Sequence, residues 1–356
     1  MNPPLTSQPE LPLNFHSDSN SSESINAVIS TTPSPHCILC GKPGILLFKN
    51  LEDHLYGAPG KWNLVKCESP DCGLIWLNPA PKADQISKAY RQYYTHDEGS
   101  ETFFRKLFKN LYFKISQIPE YCVGLAQARK RMKALYLDQQ FPGNLLDIGC
   151  GDGLYMHHMQ KLGWKTEGID FDEKALNRAR SFYGLNVRQI DLFDASYPDG
   201  TFTAVTLRHV IEHLPDPLAT LSECLRILSP GGTLVVVTPN SESLGYGLTF
   251  EDWRGLEIPR HLHIFSWTTL KLCAKRLGIP PEQYQVFTTA TGADYILDES
   301  FALQERLTDQ KQAQTGPKTI HFLRTLRAIA LQYREQLSLR FDPSIGEEAV
   351  LIIHKK

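Results

Sequence analysis

Two groups of residues in this chain have types and spacings that could do chemistry. Residues 145–153 read LLDIGCGDG, an apolar run that enters glycines at 149, 151 and 153, with Asp147 before them and Asp152 among them. Cys37, Cys40, Cys67 and Cys72 crowd the N-terminal part, in HCILCGKPG and VKCESPDCGL, while Cys122, Cys150, Cys224 and Cys273 are scattered. A glycine turn after a strand lets a ligand approach the backbone closely and commonly cradles a phosphate. Carboxylates flanking the turn would repel that anion.

The spacing also departs from a dinucleotide fingerprint. The third glycine of G-x-G-x-x-G would fall at Leu154, and the chain has Gly153 instead. Carboxylates suit a ligand with cationic groups at this end. S-adenosylmethionine carries an ammonium and a sulfonium and no phosphate. Two further acids fit it. Asp170 ends the run EGIDFD, where a carboxylate can accept from both ribose hydroxyls, and Phe171 offers a face to adenine. Asp191, in RQIDLF, could accept from the adenine amino group, with Leu192 packing on the ring.

These residues need a scaffold, and the chain alternates strand and helix signals from residue 144 onward. NLLDIG, KTEGID, NVRQID, FTAVTL and TLVVVTPN read as strands, with helices after Asp152, over DEKALNRARSFYG and over PLATLSECLRILSPGG. YQVFTTA and EEAVLIIHK supply two more strands. The expectation is an α/β fold, a doubly wound Rossmann-like sheet of seven strands with ligands at its carboxyl edge. Ahead of it, residues 1–34 read as a disordered tail, 35–82 as a cysteine domain and 83–141 as a helical cap and linker, with the nucleoside-binding domain over 142–356. Within the cap, Phe103, Phe104, Leu107, Phe108, Leu111, Tyr112 and Ile115 fall on one helical face.

Taken together, LLDIGCGDG, EGIDFD, RQIDLFD and RHVIEHLPDP resemble the class I S-adenosylmethionine-dependent methyltransferases. The resemblance covers about residues 142–354. It implies a sheet with a reversed C-terminal hairpin, Asp147, Gly149, Gly151 and Gly153 at the methionine end, Asp170 on the ribose and Asp191 near adenine.

Cys37-x2-Cys40 and Cys67-x4-Cys72 have 26 residues between them, and a glycine follows each pair at once. Four thiolates suit tetrahedral zinc, and glycine allows the tight knuckle around them. GILLFKN and KWNLVKC can form short strands between the pairs, so a structural zinc ribbon is expected. The longer second spacing keeps His36 or His54 open as substitute ligands, and a metal-free or iron–sulfur mini-domain open as alternatives. Similar ribbons precede some bacterial methyltransferase domains, including deoxysugar enzymes.

For the chemistry, two histidine groups lie after the fourth and fifth strands. LRHVIEHLPDP offers His209, and WRGLEIPRHLHIFS offers His261 and His263, with Arg254 or Arg260 to hold an anionic substrate group. One histidine could serve as a base for an in-line methyl transfer. His209-x-x-Glu212-His213 also spells an H-x-x-E-H metalloprotease motif, which belongs on a helix rather than after a strand of a nucleotide-binding frame.

With 356 residues, 42% of them hydrophobic, the chain can bury a sizeable core, and a net charge of −2 gives no reason to expect nucleic acid. No signal peptide or membrane-spanning run is read, so a cytoplasmic protein is expected. Basic residues near ARKRMK read as a solvated face, or as a surface for peripheral membrane contact. The expected partner is a small-molecule or lipid- or sugar-linked acceptor. The competing functions are a catalytically silent binding module and a nicotinamide oxidoreductase.

Overall fold

A computed structural model describes residues 28–90, 120–312 and 319–356. Three antiparallel strands form first: β1 (Gly44–Leu51), β2 (Trp62–Cys67) and β3 (Ile75–Leu77). Thr31–Thr32, expected in the disordered tail, instead pairs with Ala80–Pro81, and Ile29 beside it is buried. The cap's face from Phe103 to Ile115 lies outside the described residues. Its described part is a 3-10 helix over Ala83–Tyr90 and the helix α1 (Leu125–Lys133).

Beyond it the chain builds one seven-stranded sheet. Four parallel strands come first: β4 (Asn144–Ile148), β5 (Lys165–Asp170), β6 (Val187–Gln189) and β7 (Phe202–Arg208). The helices α2 (Leu154–Lys161), α3 (Glu173–Tyr183) and α4 (Pro217–Ile227) connect strands. Asp172 caps α3 by accepting from the Lys174 and Ala175 amides, and Gly184 ends it at φ 63°. The α4 helix stops at Ile227, short of the expected SPGG end, because β8 (Leu228–Pro239) begins there.

The helices α5 (Leu244–Thr249) and α6 (Trp267–Arg276) follow, separated by the two-residue strand β9 (His263–Ile264). Last come β10 (Tyr284–Thr289) and β11 (Glu348–His354). The spatial order is β10-β11-β8-β7-β4-β5-β6, with β11 antiparallel to both neighbours. This is the seven-stranded, doubly wound arrangement that the alternation of elements implied, with the reversed hairpin that the resemblance implied. Leu234, Val235, Val236 and Val237 of β8 are all fully buried, as a strand covered on both faces requires.

Two features were not expected. The helices α7 (Ala293–Gln312) and α8 (Thr319–Ser338) stand between β10 and β11 and close a core of Ala290, Ala293, Leu297, Phe301 and Ala328. The second is β9. It pairs antiparallel with β3, His263 against Trp76 and Ile264 against Ile75, so the cysteine domain's sheet is completed by a loop of the larger domain.

Candidate active site

The glycine turn sits where β4 passes into α2. Gly149, Gly151 and Gly153 take φ of 70°, 53° and 78°, the left-handed region that L side chains avoid. A Cβ on Gly149 would stand 2.3 Å from Val210, and one on Gly153 2.3 Å from Leu185. Asp147 is buried in β4 and accepts from Thr206 Oγ1 of β7 at 2.7 Å. Asp170, at the tip of β5, reaches across the turn. Its Oδ2 accepts from the Gly151 amide and its Oδ1 from the Asp172 amide, both at 2.8 Å.

No lysine or arginine forms an ion pair with Asp147 or Asp170 among the described residues. Burial raises the Asp147 carboxyl to about 7 against the Thr206 hydrogen bond, and Asp170 adds to the rise. Burial also raises Asp170. Two desolvated carboxylates without a close counter-charge form a place that favours a cationic ligand.

Phe171 is 66% exposed, and Tyr90 meets it edge-on at 5.1 Å between ring centroids. Leu192 is buried. Asp191 is exposed and accepts from the Phe193 amide at 2.9 Å, because β6 ends at Gln189 and leaves this acid in the following loop.

His209 follows β7 at φ 54°, a strained conformation for a residue other than glycine. Its Nε2 lies 2.9 Å from Glu348 Oε1 and its Nδ1 3.4 Å from Glu212 Oε1. Burial opposes charge on the ring, but the Glu212 and Glu348 carboxylates beside it outweigh that and raise His209 to about 9. At neutral pH it is an imidazolium, able to offer a proton or a positive charge but not to take a proton. Glu348→Gln removes one arm of this clamp. In that variant the His209 ring should titrate at least one pH unit lower by NMR, toward the ordinary value of about 6.5.

The family model described as a methyltransferase domain matches residues 123–282. Residues 123–282 thus carry a methyltransferase domain. The chain is 37% identical over 114 residues to a ubiquinone biosynthesis O-methyltransferase of Xanthomonas campestris pv. campestris, covering 30% of this chain and 48% of the relative. The same-named protein of Thiobacillus denitrificans is 34% identical over 109 residues, covering 29% and 47%. The chain thus spans about half the length of the curated relatives it matches. Among solved structures, a SAM-dependent methyltransferase from Archaeoglobus fulgidus aligns at 20% identity with a TM-score of 0.42, covering 68% of this chain and 99% of that one.

Within the methyltransferase domain the loop after β8 departs from expectation. Arg260 is fully buried, donating to Asp53 Oδ2 at 2.8 Å, Glu257 Oε1 at 3.1 Å and the Ala89 carbonyl at 3.0 Å. Arg254 is buried as well and pairs with Glu257. Both guanidiniums are consumed by internal carboxylates, so neither is placed to hold a substrate anion. His261 and His263 are buried too, and burial lowers each to about 4. His261 Nδ1 lies 2.8 Å from the Gly255 carbonyl, while His263 sits on the strand that joins the cysteine domain.

Sequence reading overlooked the acids at the start of β11. Because β11 runs antiparallel, Glu347 and Glu348 arrive at the carboxyl edge of the parallel strands. Glu347 accepts from the Trp253 indole and, at 3.2 Å, from the Gly245 amide, and burial raises it to about 7. The one signal was two consecutive glutamates opening an otherwise apolar strand, EEAVLIIHK.

In the cysteine domain, Cys37 and Cys72 stand 3.5 Å apart at sulfur and Cys40 and Cys67 3.3 Å, and all four sulfurs lie within 4.8 Å of one another. Gly41 and Gly73, at φ 74° and 69°, make the turns after each pair. Four ligands at a Zn–S length of about 2.3 Å need sulfurs just under 4 Å apart, so the four fit zinc. His36 and His54 are not part of this group. Among the described residues, no helix is long and apolar enough to cross a membrane.

Proposed function

We propose that the protein transfers the methyl group of S-adenosylmethionine to a small-molecule acceptor, with a structural zinc in the four-cysteine site. The observation that carries this reading is the pair of desolvated carboxylates, Asp147 and Asp170, on either side of a turn of three left-handed glycines. When bound, the cofactor supplies an electrophilic methyl on a positively charged sulfur. The chain's residues bind and orient. Asp147, with Gly149, Gly151 and Gly153, would hold the methionine end, and Asp170 would accept from the ribose. Phe171, Asp191 and Leu192 would lie along the adenine.

His209 would face the acceptor as a cation and steady negative charge on the attacking atom. Its protonation removes it as a base, and His261 and His263, both buried, are less accessible to a substrate. The curated relatives methylate an oxygen, as their name states, and a hydroxyl acceptor is the form this reading takes here. A screen of phenolic and other hydroxylated metabolites with methyl-labelled cofactor tests it. Transfer of label to none of them by folded, cofactor-binding protein would overturn catalysis and favour a silent binding module.

The electrostatics give a separate check. A cationic ligand prefers ionised Asp147, whose carboxyl titrates near 7 before the ligand binds. Affinity for S-adenosylhomocysteine, which keeps the ammonium, should therefore weaken as pH falls below 7, by at most about tenfold per unit. Calorimetry between pH 8 and 5.5 reads this directly. A flat profile would remove Asp147 from contact with the ligand's charge.

A further inference from the structure

Glu212, His213 and His261 form a second convergence of ligating side chains, apart from the glycine turn and the four cysteines. One ligand atom of each lies within 4.8 Å of the others. The two rings meet edge-on with centroids 4.6 Å apart. His261 Nδ1 is 2.8 Å from the Gly255 carbonyl, and His213 Nδ1 is 3.0 Å from the Arg260 carbonyl and from the Tyr90 hydroxyl. A carbonyl only accepts, so each Nδ1 carries the proton and each Nε2 presents a lone pair. Tying Nδ1–H to an acceptor is how proteins fix the tautomer and tilt of a metal-ligating histidine.

Glu212 completes the set. Its side chain is 1% exposed, and its Oε2 accepts from Thr238 Oγ1 at 3.0 Å. Its Oε1 has only a long contact, 3.4 Å from His209 Nδ1. A desolvated carboxylate oxygen held by a single long contact has acceptor capacity to spare, and a metal ion would take it up. Glu257 Oε2, 3.8 Å from His261 Nε2, adds negative charge beside the group. The H-x-x-E-H run is thus used in an unexpected way. His209 is clamped against Glu348, and His261 arrives from a separate loop to stand with Glu212 and His213.

We propose that Glu212, His213 and His261 bind a divalent transition-metal ion of the zinc class. Two imidazoles and a carboxylate suit zinc, cobalt or ferrous iron better than magnesium or calcium. Three protein ligands leave a coordination position open, the pattern of sites that act on a bound molecule rather than of closed structural ones. His213 is only half-buried, and Tyr90, which contacts it, also covers Phe171, so the open position lies beside the cofactor pocket. An acceptor hydroxyl held there would ionise more readily. That role rests on the methyl-transfer reading above, whereas ion binding does not.

The test counts metal in the full-length chain, stripped and then dialysed against zinc. Native protein should hold about two equivalents, and His261→Ala and His213→Gln about one each, with S-adenosylhomocysteine affinity unchanged within about threefold. His213, being half-buried, is the variant expected to fold if His261→Ala does not. In a cobalt titration the second equivalent should bring visible bands without new thiolate charge-transfer absorption, and His213→Gln should lose them. One equivalent in the native chain, or two in both variants, would overturn the site. Failure of cofactor binding with two equivalents retained would instead sink the methyl-transfer reading and leave the metal site standing.

Discussion

An Asp170→Ala variant should bind S-adenosylhomocysteine about 100-fold more weakly than the native chain. In the proposed binding mode Asp170 accepts from two ribose hydroxyls, and hydrogen bonds to a charged group contribute about 1.5–3 kcal/mol each. The same carboxylate also holds the Gly151 and Asp172 amides, so truncation loosens the turn as well as removing the contact. Asp170→Asn separates the two effects. It keeps the shape and one acceptor oxygen, and its loss should be nearer tenfold. Calorimetry on both variants, with circular dichroism to confirm the fold, gives the answer. Binding within threefold of native for Asp170→Ala would mean that the ribose is held elsewhere, and the nucleoside assignment would fail with it.

Removal of metal from the four-cysteine site should disorder more than the ribbon. Structural zinc in small cysteine domains contributes about 10–16 kcal/mol of apparent binding free energy, and that energy is also folding energy. The ribbon's sheet includes β9, and its Asp53 pairs with the fully buried Arg260. Losing the ribbon takes Asp53 from Arg260 and leaves that buried guanidinium short of a partner, which costs about 3–5 kcal/mol. The loop from Arg254 to Ile264 should then open. With a strong chelator, or in Cys40→Ser, limited proteolysis is expected to cut within residues 254–264. S-adenosylhomocysteine should still bind within about threefold, because β4, β5 and the glycine turn pair only within the larger sheet. Metal-free protein that resists protease as well as native would show that the cysteines do not support this loop.

The glycine turn and the acids around it were legible in the chain because the signals are local. A glycine is needed where the backbone turns left-handed, and an acid at a strand tip is read from the run that precedes it. The helix α3 was read over a run that ends in its closing glycine for the same reason. The α7–α8 pair was not expected although ILDESFALQERL and HFLRTLRAIALQYREQL carry helical spacing, because local spacing does not show that two helices insert between the strands of the terminal hairpin.

Sequence alone determined the glycine turn, the order of the strands and the four cysteines, because these follow from backbone conformation, side-chain period and ligand chemistry over short spans. Tertiary structure alone decided what the histidines and arginines do. His209 meets Glu348 across 139 residues, and Arg260 meets Asp53 across 207. Neither pairing has a local signature. Each exists because the reversed last strand and the loop joining the ribbon bring distant charges into a low-dielectric space, where a charge without a partner is too costly to keep.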